Sequence, residues 1–278
     1  RGAGALQVSP YDYIIVGGGS AGCVLAARLS EMPEANVLLV EAGPRDTDPF
    51  IHMPVGFFKM TGGPLTWGYE TAPLRHANNR VAVYPQGRVL GGGSSINAEI
   101  YTRGCPEDYD GWASEMNCKG WSWKDLKPYF VKSEGNTSLG GSEHGVDGPL
   151  GVTSPGSPNR VSQAYVQGCM DFGMPHNADF NSGKLEGAGL YQTTIKDGKR
   201  CSAAVGYLRP AMKRPNLTVR TDLFVTRLLI EKGRATGVEV VSGSQLQRLE
   251  ATSEVIVTAG AIGSPKLLML SGIGPARH

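Results

Sequence analysis

The sequence is poor in cysteine, in long apolar runs and in excess charge of either sign. Five cysteines among 278 residues (Cys23, Cys105, Cys118, Cys169 and Cys201) make an odd count, and no two stand as C-x-x-C. Buried free thiols are therefore expected, and a disulfide framework or a structural zinc site is not. No apolar run approaches the roughly 18 residues needed to cross a bilayer, and the best of them, Leu223–Ile230, is broken by Arg227. Lys and Arg number 27 against 25 Asp and Glu, a net charge of +2. No basic field is available to hold nucleic acid or anionic lipid. His52, His76, His144 and His176 are scattered without i, i+4 pairing, so solvated or locally bonded roles are expected of them and no metal site is. Asn136-Thr137-Ser138 and Asn216-Leu217-Thr218 fit the glycosylation sequon, a pattern short enough to recur by chance. With 40% hydrophobic and 19% charged residues the chain is of ordinary globular composition. The expectation is a soluble protein, intracellular or peripheral to a membrane. The small, Gly/Ala-rich start at Arg1–Pro10 lacks Met; it reads as an appended or processed end and is left out of the fold reasoning.

Glycine is abundant, with 39 residues in short clusters and no collagen-like period. Such clusters suit tight turns and close backbone approach to a ligand. The first follows a β-rich run at Tyr13–Val16 and reads Gly17-x-Gly19-x-x-Gly22. An apolar stripe at Cys23, Val24, Ala27 and Leu29 predicts a helix over 20–31, Pro33 stops it, and Val37–Val40 predicts a second buried strand ending at Glu41. Strand, glycine turn, helix, strand and terminal acid form a βαβ dinucleotide fingerprint. Gly17 makes the turn, Gly19 admits a pyrophosphate and Gly22 lets helix and sheet approach. Ser20 and Ala21 then open a helix N-terminus toward the phosphates. Glu41 would accept hydrogen bonds from a ribose diol, with Ala42 beside it. NAD and FAD both use this pattern. A second cluster, Arg88-Val89-Leu90-Gly91-Gly92-Gly93-Ser94-Ser95-x-Asn97, offers a further backbone cradle that a nicotinamide domain does not need.

The remaining pattern is coarse. Residues 42–85 are loop-rich, Trp112–Lys132 is helical in pieces with Pro128 expected only at a boundary or kink, and Gly135–Asn159 is the best internal boundary. Helices are predicted over Val161–Phe172 and, interrupted near Pro210, over Arg200–Lys213. Strands are predicted at Leu217–Arg220, Phe224–Glu231, Gly237–Val241 and Glu254–Thr258, with Gly233 as a hairpin connection. Trp112, Trp121 and Trp123 read as packing anchors, Ser94 and Ser95 as backbone-capping donors, and Lys196–Arg200 as a solvated basic spot.

These motifs in order resemble the N-terminal half of the glucose–methanol–choline (GMC) oxidoreductases, nearest the choline dehydrogenase-like and alcohol dehydrogenase branch. Tyr11–Pro44 resembles the FAD fingerprint. Gly87 to Asn97, continuing to Tyr101, Gly104 and Asp110, resembles the first family signature. Gly260-Ala261-Ile262-Gly263-Ser264-Pro265 with Ser271-Gly272-Ile273-Gly274-Pro275 resembles the second. The resemblance implies an α/β protein with a Rossmann-like FAD-binding domain and an interleaved substrate-side α+β portion. The segments expected are 11–45 for FAD binding, 46–134 as lid and cofactor-contact region, 135–209 as the substrate-side insertion and 210–278 as the returning FAD-binding strands. It implies FAD contacts at Gly17, Gly19, Ser20, Ala21, Gly22, Glu41 and Ala42 for the ADP half. Contacts at Trp67, Arg88, Gly93, Asn97, Ala98, Glu99 and Ile100 would follow the pyrophosphate and isoalloxazine, and Val225 would meet the adenine. Ile96 stands where some relatives carry a flavin-attaching histidine, so non-covalent FAD is expected.

The implied reaction is oxidation of a primary alcohol to an aldehyde by hydride transfer to flavin, with a small-molecule alcohol as substrate. A hydroxynitrile lyase, a fatty-acid photodecarboxylase or a non-catalytic FAD-binding fragment on the same fold remain open. The family's catalytic His and its His or Asn partner lie near the end of a chain roughly twice this length, beyond His278. No catalytic residue is therefore assigned here, the chain alone is expected to be inactive, and its expected partner is a C-terminal companion segment of the same polypeptide.

Overall fold

The structure is a computed structural model that describes residues 10–277; residues 1–9 of the Gly/Ala-rich start, and His278, lie outside the described residues. The chain forms two compact units. One comprises 10–51, 55–96 and 202–277, the other 52–54 and 97–201.

The first unit is built on one sheet. Its strands are β1 (Tyr11–Val16), β2 (Val37–Val40), β3 (Leu217–Arg220), β4 (Phe224–Glu231), β5 (Arg234–Ser242) and β6 (Gln245–Val257), in the spatial order β3-β2-β1-β6-β5-β4. The β3-β2-β1-β6 side is parallel, and the β6-β5-β4 side is an antiparallel meander. α1 (Ser20–Leu29) links β1 to β2, and α2 (Gly260–Leu270) follows β6. Strand residues alternate between two faces. Ile14, Val16, Leu38 and Val40 join Leu228, Val238, Val240 and Leu267 on one, whereas Ile15, Val37 and Leu39 join Cys23, Ala26, Ala27 and Leu208 on the other. Each fully buried Val, Leu or Ile contributes about 1.5–3 kcal/mol, so this double-sided core carries the unit. The register brings Val16, Val40, Arg220 and Val257 level at the C-terminal ends of the parallel strands. This is where a doubly wound sheet opens its ligand crevice, between the strands on either side of β1.

Local chemistry accounts for the differences from expectation. Lys232 (φ 50°) and Gly233 (φ 80°) form the two-residue left-handed turn of the β4–β5 hairpin. β6 starts nine residues before the expected Glu254 because its polar first half, Gln245–Glu250, pairs with β5 in the open. The region after Arg200 is helical only as Ala204–Leu208 and Arg209–Ala211, the first of these in a wide π-type turn.

The second unit holds the helices Pro106–Ser114, Trp123–Ser133 and Arg160–Asp171, with short strand pairs between them. Pro128 lies inside Trp123–Ser133 and not at a boundary. It and Lys124, whose carbonyl loses the usual donor, are both exposed, so water can serve that carbonyl. The tryptophans stack mainly on one another and on Tyr109 and Phe130, and Trp112 and Trp121 stay exposed. No helix among the described residues is long and apolar enough to cross a membrane.

Candidate cofactor site

A cavity of about 470 Å³ opens at the C-terminal ends of the parallel strands, within the usual range for small-molecule and cofactor sites, roughly 300–1,000 Å³. Its walls come from the β1–α1 turn, Glu41-Ala42, Trp67 and Tyr69, Gly92-Gly93, Leu223–Val225 and the stretch Val257–Gly260 leading into α2. The β1–α1 turn leaves no room for a side chain at Gly17 or Gly22. Gly17 sits at φ 107°, and a Cβ on Gly22 would lie 1.9 Å from the Gly17 carbonyl oxygen. Thr258, which follows β6, fastens the same turn: its N–H and Oγ1 donate to the Val16 carbonyl at 2.8 and 3.1 Å, and Oγ1 also reaches the Gly17 carbonyl at 2.8 Å. No side chain caps α1 and its first turn carries no acid, so its unpaired N–H groups and positive dipole end remain for an anion.

The second glycine cluster docks onto the first. Gly91 N–H donates to the Gly18 carbonyl at 2.7 Å, and a Cβ on Gly92 would lie 2.7 Å from Gly19 Cα. Ser94 Oγ donates to the Gly91 carbonyl at 2.6 Å and accepts from Ala203 N–H at 3.0 Å; Ser95 Oγ donates to the Leu90 carbonyl at 2.7 Å. Both serines cap backbone, as expected of them.

Glu41 is buried, and each carboxylate oxygen accepts one backbone N–H, Gly18 to Oε2 at 2.7 Å and Gly43 to Oε1 at 2.8 Å. Burial pushes its pKa above the ordinary value, against the opposing pull of those N–H groups and of Arg88. A carboxylate has about four lone-pair sites, so capacity for a diol remains. Arg88 stands behind this wall: Nη2 donates to the Ala42 carbonyl at 3.2 Å and the guanidinium lies 5.4 Å from the Trp67 ring centroid. The Cys23 thiol, pushed up to about 12 mainly by burial, is inert.

Of the residues expected at the cofactor, Gly17, Gly19, Ser20, Ala21, Glu41, Ala42, Trp67, Gly93 and Val225 line this one cavity. Gly22 lies beneath it and Arg88 behind it. Asn97, Ala98, Glu99 and Ile100 belong to the second unit, where Arg200 Nη1 donates to both the carbonyl and Oδ1 of Asn97 at 2.7 Å, and Arg200 Nε lies 3.7 Å from Glu99 Oε1. Arg200 is thus buried and not part of a solvated basic spot. The missed signal is Asp197-Gly198, whose positive φ values of 51° and 71° turn a hairpin that brings Arg200 inward. Thr258 was also missed, since one threonine after a strand carries no pattern of its own.

His144 is buried, not solvated. Nδ1 lies 3.0 Å from Glu134 Oε1 and Nε2 2.9 Å from Asp179 Oδ2, while Arg103 pairs with the other Glu134 oxygen. Burial alone would lower the imidazole pKa, but the hydrogen bonds to Asp179 and Glu134 outweigh it and hold it above the ordinary value. Neither sequon presents a free amide: Asn136 Nδ2 donates to Glu134 Oε1, and Asn216 Nδ2 to the carbonyls of Ser30, Met32 and Ala35.

The GMC oxidoreductase family model matches residues 11–278. The chain belongs to the GMC oxidoreductase family. An alcohol dehydrogenase [acceptor] of Pseudomonas putida is 45% identical over 270 residues, which are 96% of this chain and 49% of that protein. Pyridoxine 4-oxidase from Mesorbium loti superposes with a TM-score of 0.92 at 36% identity, over 96% of this chain and 53% of that one. An FAD-dependent oxidoreductase from Chaetomium thermophilum superposes with a TM-score of 0.89 at 33% identity, over 96% and 48%. The chain therefore spans about half the length of the relatives it matches. FAD is the dinucleotide of this family, and the cavity fits it. Gly17, Gly87 and Gly92, which admit no Cβ, line the approach, a helix N-terminus stands uncapped, and a buried acid follows β2.

Proposed function

We propose that this chain is the cofactor-holding part of an FAD-dependent enzyme that oxidises a primary alcohol to an aldehyde, with FAD bound non-covalently. The observation that carries the reading is the cavity at the level ends of four parallel strands, walled by two interlocked glycine clusters and by Glu41. Bound flavin supplies the hydride acceptor. The chain's own residues bind and orient. The N-terminus of α1 meets the pyrophosphate, Glu41 takes the adenosine ribose, Val225 meets the adenine, and Trp67 and Gly93 lie along the rest. Segments 11–45 and 210–278 make up the binding fold, 46–134 carries the lid and 135–209 is the substrate side. Ile96 packs beside Ile51, Met60, Leu65 and Val89 and offers no nucleophile for attachment.

The proton of the alcohol needs a base within about 2.6–3.2 Å, and no histidine is among the residues lining the cavity. That base is assigned to polypeptide corresponding to the half of the relatives this chain does not match. The test is anaerobic addition of primary alcohols to the FAD-loaded chain, alone and joined to that half. Bleaching of the flavin absorbance by alcohol in the joined protein only is expected. Bleaching in the isolated chain would place the base within it. A joined protein that cleaves hydroxynitriles or decarboxylates fatty acids under light, without bleaching, would replace oxidation by those activities.

A further inference from the structure

Arg88 does not line the cavity, yet two of the cavity's walls meet on it. Nη2 donates to the Ala42 carbonyl at 3.2 Å, and the guanidinium lies 5.4 Å from the Trp67 ring centroid. The backbone on either side is fixed as well. Arg88 N–H donates to the Leu65 carbonyl at 2.8 Å, and Trp67 N–H to the Gln86 carbonyl at 3.0 Å. A Cβ on Gly43 would lie 2.0 Å from the Arg88 carbonyl oxygen, so the chain just after Ala42 runs directly against Arg88. The side chain is half-buried, and its Nε–H is buried with no acceptor found among the described residues. A buried donor left over is rare in folded proteins and points to a reason other than hydrogen bonding.

That reason is the neighbouring acid. Glu41 immediately precedes Ala42, is buried, and gives one site on each oxygen to a backbone N–H, from Gly18 and from Gly43. Arg88 takes neither oxygen, and no ion pair between the two side chains is found among the described residues. Its charge therefore acts through space. It favours the ionised carboxylate and leaves the remaining acceptor sites open to a ligand, where a direct ion pair would fill them. The other titratable groups around Glu41 are engaged elsewhere or neutral. The Cys23 thiol of α1 is neutral, pushed up to about 12. On β3 the Arg220 guanidinium is turned to Gln247 Oε1, at 3.3 and 3.4 Å. Asp46 is held by Arg209 at 2.9 Å, and Asp222, whose N–H bonds to the Gly43 carbonyl, is exposed.

We propose that Arg88 is a positioning residue for the cofactor, holding a charge behind Glu41 that fits it for the ribose diol, and so sets the pH below which FAD is released. This rests on the FAD reading of the cavity and adds a residue that acts through Glu41. The sign follows from burial. Burial favours the protonated acid, which accepts fewer hydrogen bonds, and Arg88 opposes it. FAD affinity should be level at high pH and fall as pH drops through the value at which Glu41 of the unliganded chain takes its proton. Without the Arg88 charge that fall moves to higher pH.

The experiment is titration of the apoprotein with FAD at a series of pH values, followed by flavin fluorescence. Arg88→Gln removes the charge and keeps a donor for the Ala42 carbonyl; Arg88→Lys keeps the charge and loses the planar fork. The fall should begin about one pH unit higher in Arg88→Gln, the low end of the effect of an opposite charge on a carboxyl, making affinity up to about tenfold lower below the fall and unchanged well above it. Arg88→Lys should keep the original profile, and Glu41→Gln should bind more weakly and without the fall. In the unsubstituted apoprotein the amide shifts of Gly18 and Gly43, which donate to the two Glu41 oxygens, should titrate at the pH where affinity begins to fall. That readout requires no variant to fold. An unchanged profile in Arg88→Gln, or an equal loss at every pH in both Arg88 variants, would overturn the proposal. So would a fall that survives Glu41→Gln, or Gly18 and Gly43 shifts that titrate at another pH. A chain that takes up no FAD at any pH would contradict the cofactor reading itself, and this proposal with it.

Discussion

The two units are stabilised in opposite ways. In the first, residues 10–51, 55–96 and 202–277, all three apolar clusters of the described residues are found, and buried charged side chains are few: Glu41 at the cavity, and Asp46 and Glu239 away from it. In the second, residues 52–54 and 97–201, buried apolar side chains are few (Val152, Phe180, Ala188 and Cys201), and the buried polar side chains outnumber them, Glu99, Arg103, Glu134, His144 and Arg200 among them. Several of its large apolar side chains are exposed, with Tyr165 75% and Phe172 90% exposed on or beside the helix Arg160–Asp171. Hydrophobic burial is additive and forgiving, whereas a buried ion network repays its desolvation only when every partner is present. The first unit should therefore fail by steric insult and the second by loss of a single charge.

Four substitutions and a titration can break or sharpen that contrast. The largest effect is expected from Gly22→Ala, whose Cβ would lie 1.9 Å from the Gly17 oxygen. A loss of more than about 4 kcal/mol should appear in denaturant unfolding, together with loss of bound flavin. Next is Glu134→Ala, which strands Arg103 and His144 without their shared partner. About 3–5 kcal/mol should be lost, with fast amide exchange confined to 97–201 and flavin retained; uniform melting of both units would contradict the contrast. Glu41→Ala should weaken FAD binding by roughly 1.5–3 kcal/mol, measured by flavin titration of the apoprotein.

A smaller effect is expected from pH. His144 gains affinity for its proton on folding, through Asp179 and Glu134, so its contribution is complete below the unfolded value of about 6.5 and is lost as pH rises through the higher folded value. Proteolytic resistance of 97–201 should fall over that rise, and His144→Gln should flatten the dependence. The smallest effect is expected from Phe172→Ser, within about 0.5 kcal/mol in this chain, since the ring is already 90% exposed.

The same contrast decides what was legible in the sequence. β1, α1 and β2 were readable because two-sided burial leaves continuous apolar runs, as in Val37–Val40, and because glycines mark the turn that no side chain fits. The glycine turn that walls the cavity was readable for the same reason. The interior of the second unit was not. Arg103, Glu134, His144 and Asp179 are far apart in the chain and share no period, so nothing local distinguishes them from solvated charges. Nor was the first half of β6 readable, whose polar residues Gln245, Gln247 and Arg248 suit an exposed hairpin arm.

The central claim is that the glycine-walled cavity of the first unit takes FAD without a covalent bond. It is tested most directly by acid precipitation of the purified protein followed by a visible spectrum of the supernatant. A yellow supernatant carrying one flavin per chain and a colourless pellet are predicted. A colourless protein that binds NAD tightly, or flavin that stays with the pellet, would contradict the account.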